Sequence, residues 1–164
     1  MDHFEVVKLL LNDPRIDLNL ENIFGETAFF FACANGTTET VKLLLQHEKL
    51  DINKTGSKRT PLIIACLNHQ LEVIELILES GREVDLFSKT VDNKTALDIA
   101  KEEISRKQEY WESDDFFEKR KSNSLKIEKL LESFIHKHKN RIKITDNQVQ
   151  EEDSIFSKLT RFWK

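Results

Sequence analysis

The residues able to do chemistry are sparse, and their spacing argues against most of it. His136 and His138, in Ile-His-Lys-His-Lys, stand two apart. Two ligands sharing a metal from one helix need positions three or four apart, so this pair faces different sides and reads as favourable charge near a helix C-terminus. Cys33 and Cys66 end two similar stretches, Phe31-Ala32-Cys33 and Ile64-Ala65-Cys66. Helices packed side by side lie about 8–10 Å apart, beyond the roughly 7 Å that a disulfide tolerates, so both cysteines read as small buried residues. Asp114, Asp115 and Glu118 gather carboxylates where a helix start with a solvated face explains them. Neither a Gly-rich phosphate loop nor a His-Glu-x-x-His pattern occurs. The expectation is no enzyme, no metal and no cofactor.

Recognition is the chemistry that remains. Phe29-Phe30-Phe31 would spread around more than half of a helix, so the three cannot all be core. Either neighbouring segments absorb them, or an exposed aromatic pair anchors a partner.

The frame that must position these residues has 164 residues, about one domain's worth. Its net charge of -4 offers no basic field to attract nucleic acid. Residues 1–100 carry 10 basic and 16 acidic side chains, and residues 101–164 carry 15 and 13, so the body is acidic and the end slightly basic. Four Gly and two Pro are too few for the tight turns of a sandwich or barrel. Two Cys make no disulfide framework, and residues 1–20 lack a signal peptide's apolar stretch. An intracellular, cytoplasmic, helix-rich protein is expected.

Repetition decides the architecture. Glu5-Val6-Val7-Lys8-Leu9-Leu10-Leu11 returns 34 positions later as Glu39-Thr40-Val41-Lys42-Leu43-Leu44-Leu45, and 33 further on as Glu72-Val73-Ile74-Glu75-Leu76-Ile77-Leu78. Thr27-Ala28-Phe29, Thr60-Pro61-Leu62 and Thr95-Ala96-Leu97 keep a phase of their own. So do Ile16-Asp17-Leu18-Asn19, Leu50-Asp51-Ile52-Asn53 and Glu83-Val84-Asp85. Each Thr fits an N-cap, Pro61 fits the first helical position, and Asn35-Gly36 ends the first helix before a leucine-rich second one. The alternation Leu50-Asp51-Ile52-Asn53 suits a short extended arm with Leu and Ile inward. A single helix pair cannot cover its own apolar face, so the units must stack.

These strings resemble the ankyrin-repeat family, whose unit of 33 residues combines a β-turn and two helices around a Thr-Pro-Leu-His-x-Ala signature. Gly25-Glu26-Thr27-Ala28-Phe29-Phe30-Phe31-Ala32-Cys33 and Arg59-Thr60-Pro61-Leu62-Ile63-Ile64-Ala65-Cys66 carry the likeness. It implies an all-α fold, an ankyrin-repeat α-solenoid with short β-turn arms and a C-terminal helical cap. The repeat domain would span 1–139, with a partial unit at 1–22, full units at about 23–54 and 55–88, and a degenerate capping unit at about 89–139. Phe30, Ile63 and Asp98 replace the signature His, which removes its usual hydrogen bond. His69-Gln70 stands where the family commonly has Gly-His, which implies a less regular turn. The resemblance also implies a non-catalytic protein–protein interaction module that meets another protein through a preorganised concave surface. Turn tips and first-helix side chains at matching positions would make the contact: Ile23, Phe24, Glu26, Phe30, Ala34, Asn35, Ser57, Arg59, Leu67, Asn68 and Lys94. Phe29 matches the buried signature Leu, while Phe30 and Phe31 fall nearer the concave side.

The ends of the array look unusual. Residues 2–7 align with a second helix, leaving Phe4, Val7 and Leu11 without an upstream neighbour; a frayed first helix and further repeats before Met1 are expected. An insertion near 101–121 splits the last unit. Ser113-Asp114-Asp115 is read as the start of a short helix carrying Phe116 and Phe117, and Ser124 as the start of another. Residues 140–154 read as a polar linker. Beyond it, Phe156, Leu159, Phe162 and Trp163 recur at helical spacing among Lys158 and Arg161, a short basic amphipathic segment over 155–164. It suits docking onto the protein's own cap, a partner's groove, or a membrane surface, which makes a tethered adaptor or effector the alternative function.

Overall fold

A computed structural model describes residues 4–110 and 112–138. Among the described residues seven helices follow one another: α1 (Phe4–Leu11), α2 (Ala28–Asn35), α3 (Thr38–Leu45), α4 (Pro61–Leu67), α5 (Leu71–Glu79), α6 (Ala96–Ser105) and α7 (Asp114–His138). Three begin on the repeated threonines. Thr27 Oγ1 accepts the Phe30 N–H at 3.1 Å and Thr60 Oγ1 that of Ile63 at 3.2 Å, each satisfying a donor that a helix start leaves open. At the third, Thr95 Oγ1 accepts the Asp98 N–H while Asp98 Oδ2 accepts the Thr95 N–H at 3.0 Å. Asp98 therefore makes a hydrogen bond where loss of the signature His implied none; its carboxylate closes a capping box.

Helices α2, α4 and α6 stack in one row, and α1, α3, α5 and α7 in a second, each short helix packed on the one that follows. One apolar core runs from Phe29 to Ile135, with Leu44 buried in it and Leu76 packed against it. Each fully buried Leu, Ile or Val contributes roughly 1.5–3 kcal/mol. Ala32-Cys33 and Ala65-Cys66 are buried at the α2–α4 contact, where small side chains let the rows close up.

The turns between paired helices keep one form. Gly36 sits at φ +70, in the left-handed region, and Thr37 N–H donates to the Ala32 carbonyl at 3.1 Å. His69 takes the same conformation at φ +56, and Gln70 N–H donates to the Ala65 carbonyl at 2.9 Å. The second turn is thus as regular as the first, against expectation. Helix α7 grips it: Asn123 Nδ2 donates to the His69 carbonyl at 3.3 Å, and the imidazole Nδ1 lies 3.1 Å from Ser124 Oγ.

The arms are turns and not extended segments; among the described residues the single β-bridge joins Gly56 and Arg59. Leu50 and Ile52 do point inward, 2% and 5% exposed. Asparagine amides lace successive arms. Asn19 donates to the Lys49 carbonyl and accepts the Asp51 N–H, both at 2.7 Å. Asn53 repeats this one unit later on Glu83 and Asp85, at 2.8 and 2.9 Å. Phe87 holds the corresponding place in the next arm, as the spacing of Asp17, Asp51 and Asp85 shows.

Two end features depart from expectation. In α1, Phe4, Val7 and Leu11 are half-buried, and the open apolar side consists of Val6, Leu9 and Leu10. Downstream, one helix of 25 residues replaces the two short ones. The stretch 118–123 contains no breaker, and Ser124 turns its hydroxyl to His69 instead of capping a new helix. Arg120, Ser124, Ile127, Leu131 and Ile135, spaced by three or four, form the buried seam of α7.

Candidate interaction surface

A tip loop precedes each helix of the first row. In the first, Asn22 organises the loop: its Oδ1 accepts the N–H groups of Phe24 and Glu26 at 2.8 and 3.0 Å, and its own N–H donates to the Glu26 carbonyl at 2.9 Å. This closed loop holds Ile23 and Phe24 outward, 91% and 65% exposed. The second tip turns through Ser57 and Lys58, at φ +50 and +59, with Gly56 and Arg59 exchanging both backbone bonds. Two left-handed residues in succession make the mirror-image turn that glycine or asparagine usually supplies, so Ser57 and Lys58 hold strain. The third tip is closed by Thr90, which donates to the Lys94 carbonyl at 3.0 Å, and it exposes Val91.

The tips are tied together. Ser57 N–H donates to the Phe24 carbonyl at 3.2 Å, and Ser57 Oγ to Glu26 Oε1 at 3.1 Å. Gly56 permits the approach, since a Cβ there would stand 3.0 Å from the Glu26 Cα and 3.1 Å from the Phe30 ring. That contact also corrects the reading of Phe30. With the second tip seated on its ring, Phe30 is 4% exposed and unavailable to a partner. Phe31 takes the open place, 45% exposed, with its ring at right angles to Phe30.

The other named positions divide. Asn35 and Ser57 are exposed and Arg59 is half-buried. Asn68 is exposed, but its amide donates to the Ala34 carbonyl at 2.7 Å, tying α4 to the end of α2. Leu67 is partly buried against the core. The Lys94 ammonium is paired with Glu102, and that hydrogen bond raises its pKa. Phe156, Lys158, Leu159, Arg161, Phe162 and Trp163 lie outside the described residues, as does the linker 140–154. Val91 was missed by sequence reasoning, although it is an apolar residue between turn formers, the same signal that drew attention to Ile23 and Phe24.

Groups suited to chemistry are placed elsewhere. Cys33 and Cys66 are buried and unbridged, and burial pushes both thiols well above their usual range, away from the reactive thiolate. Asp114, Asp115 and Glu118 are exposed, with Ser113 Oγ accepting the Phe116 N–H as a helix cap. Among the described residues no three His, Cys, Asp or Glu side chains converge as metal ligands. A polar cluster in the interior is structural in form. Arg120 donates to Glu112 Oε1 and to Glu103 Oε2, both at 3.0 Å, and to the Glu103 carbonyl at 3.1 Å. His69 Nε2 lies 3.6 Å from Glu103. Burial lowers the His69 pKa, with Glu103 opposing. The Glu109 N–H, and less strongly the Arg120 guanidinium, hold the Glu112 carboxyl below its ordinary range against desolvation.

Known proteins place this architecture. A sequence profile described as ankyrin repeats (3 copies) matches residues 1–88, more than half of the chain. The chain belongs to the ankyrin-repeat family. Members of this family are generally protein-interaction modules and typically non-catalytic. The putative ankyrin repeat protein YahD of Escherichia coli is 31% identical over 107 residues, covering 62% of this chain and 52% of that protein. The BTB/POZ domain and ankyrin repeat-containing protein NPR3 of rice is 28% identical over 96% of the chain and 25% of its own length. The human transient receptor potential cation channel subfamily A member 1 is 36% identical over 48% of the chain and 7% of its own length. The chain thus spans between a fourteenth and about half of the length of these relatives. Among the described residues no helix is long and apolar enough to cross a membrane.

Proposed function

We propose that this ankyrin-repeat chain is a non-catalytic module that binds another protein on the surface formed by its tips and the open side of α2, α4 and α6. The observation that carries the reading is the pair Ile23 and Phe24, 91% and 65% exposed on a loop that the hydrogen bonds of Asn22 hold in place. Large apolar side chains kept in water on a fixed loop are the usual anchors of an interface. Phe31, Ser57 and Arg59 extend the patch from α2 to the second tip, and Asn35 and Val91 mark its edges. The mechanism is preorganisation: the laced tips set the contact side chains before the partner arrives, which lowers the entropic cost of binding. The strained Ser57-Lys58 turn supports the same reading, since such conformations gather where a surface is shaped for contact. A cytoplasmic setting is part of the proposal, supported by two buried cysteines that form no disulfide.

The test is affinity capture with mass spectrometry, comparing the intact chain with a Phe24→Ala, Arg59→Ala variant of unchanged circular dichroism. Selective loss of one partner from the variant supports the surface. Partners retained equally by both remove it.

A further inference from the structure

The repeat register exposes a second surface, at the end of the array away from α7. Equivalent positions in successive units can be compared directly. In the second row, Val6 and Leu10 of α1 are both 52% exposed. Their counterparts Thr40 and Leu44 in α3, and Val73 and Ile77 in α5, are 8% exposed or less. In the first row, Phe31, which also borders the tip surface, is 45% exposed where Ile99 of α6 is 3%. Ala28 is exposed where Pro61 and Ala96 are buried. In the arms, Ile16 is 42% exposed and its counterpart Leu50 2%. What differs is the cover. Helices α3, α4, α5 and α6 each follow another helix in their row, and among the described residues α1 and α2 follow none.

We infer that this end is a homodimer interface, at which two copies of the chain meet head to head about a two-fold axis, α1 against α1. A head-to-tail stack would set the opposite end of one copy on this face, but α7 packs there on both α5 and α6. The closed arrangement left is the two-fold one, which uses the same patch on both copies. Val6, Leu9, Leu10, Ile16 and Phe31 leave roughly 500 Å² of hydrocarbon open on each copy. A pair therefore buries about 1,000 Å², and with its polar rim reaches the low end of a specific interface. None of these positions is charged, so a copy meeting its own image suffers no like-charge repulsion across them. Leu9, 70% exposed, lies between Val6 and Leu10 in the chain and falls near the axis.

The test is sedimentation velocity on the full chain from about 1 to 200 μM. A reversible monomer–dimer equilibrium is expected, half-dissociated on the order of 10 μM. Leu9→Lys puts a charge at the centre of the contact without touching the core, and should raise the dissociation constant at least about 30-fold with circular dichroism unchanged. Phe24→Ala, at the first tip, should leave it within about twofold, which keeps this interface distinct from the tip surface. Leu9→Cys reads the geometry: near the axis its two thiols fall within the roughly 7 Å that a disulfide tolerates, so oxidation should link the pair. Val91→Cys, at the third tip, should not cross-link. A chain that stays monomeric over the whole range overturns the inference. So does a dimer that survives Leu9→Lys, one that Phe24→Ala abolishes, or one that cross-links through position 91 as readily as through position 9.

Discussion

The Asn53 amide holds the backbone of the next unit's arm in two directions at once, giving its N–H to the Glu83 carbonyl and taking that of Asp85 at 2.9 Å. Such a rung joins the arms of adjacent units through their backbones. Asn53→Ala leaves both backbone groups to water at a half-buried site, and should cost about 1–2 kcal/mol. The check is urea denaturation, with the midpoint lowered and the slope unchanged.

Arg120 should matter more. It is 4% exposed and joins Glu103 and Glu112 from two segments of the cap. Arg120→Ala strands carboxylates in the interior, a loss of about 3 kcal/mol on the scale of broken buried pairs. Hydrogen exchange should rise first between residues 101 and 120, ahead of α2 and α4.

Acid should loosen the same junction. The lowered pKa of His69 means that the unfolded chain binds the proton more readily, so stability is full above about 6.5 and falls as pH drops below it. The lowered pKa of Glu112 acts in the same direction below 4.5, its contribution being complete above that value. Melting temperature is therefore expected to fall from pH 7 to pH 5, and His69→Gln to flatten that first decline. An unchanged slope in the variant would place the acid sensitivity elsewhere.

Relief of backbone strain gives an opposite sign. Lys58 is exposed with φ +59, a conformation open to glycine without penalty. Lys58→Gly should raise stability by up to about 1 kcal/mol, read from the thermal midpoint.

Binding and folding should separate at the tip surface. Phe24→Ala and Phe31→Ala remove exposed rings, so each should shift stability by no more than about 0.5 kcal/mol. If the pair anchors a partner, each should weaken capture about tenfold or more, measured by titration once the partner is in hand.

Much of this fold was legible in the chain. Thr27, Thr60 and Thr95 announced three helix starts because an N-cap is a local chemical requirement, and Leu44 and Leu76 announced stacking because a lone hairpin cannot cover them. What escaped depended on distant neighbours. Arg120 sits in a charged stretch that reads as solvated, and only Glu103 and Glu112, 17 and 8 residues away, make its burial tolerable. Three consecutive phenylalanines leave open whether a ring is exposed and which ring that is. That choice fell to Gly56, whose bare backbone settles on Phe30 and leaves Phe31 outside. At Asp98 a carboxylate did the work of the missing imidazole, a substitution visible in the residue type and overlooked in its function.

Phe87 gives the array a direction. Where Asn19 and Asn53 each offer an amide to the arm beyond, this ring offers none, and α7 packs along that flank instead. Adding one more hairpin of the same kind there would demand both an asparagine graft at position 87 and eviction of α7. On the opposite flank, Val6, Leu9 and Leu10 still present bare hydrocarbon. For anyone wishing to lengthen the stack, one pole is sealed and the other is ready for grafting.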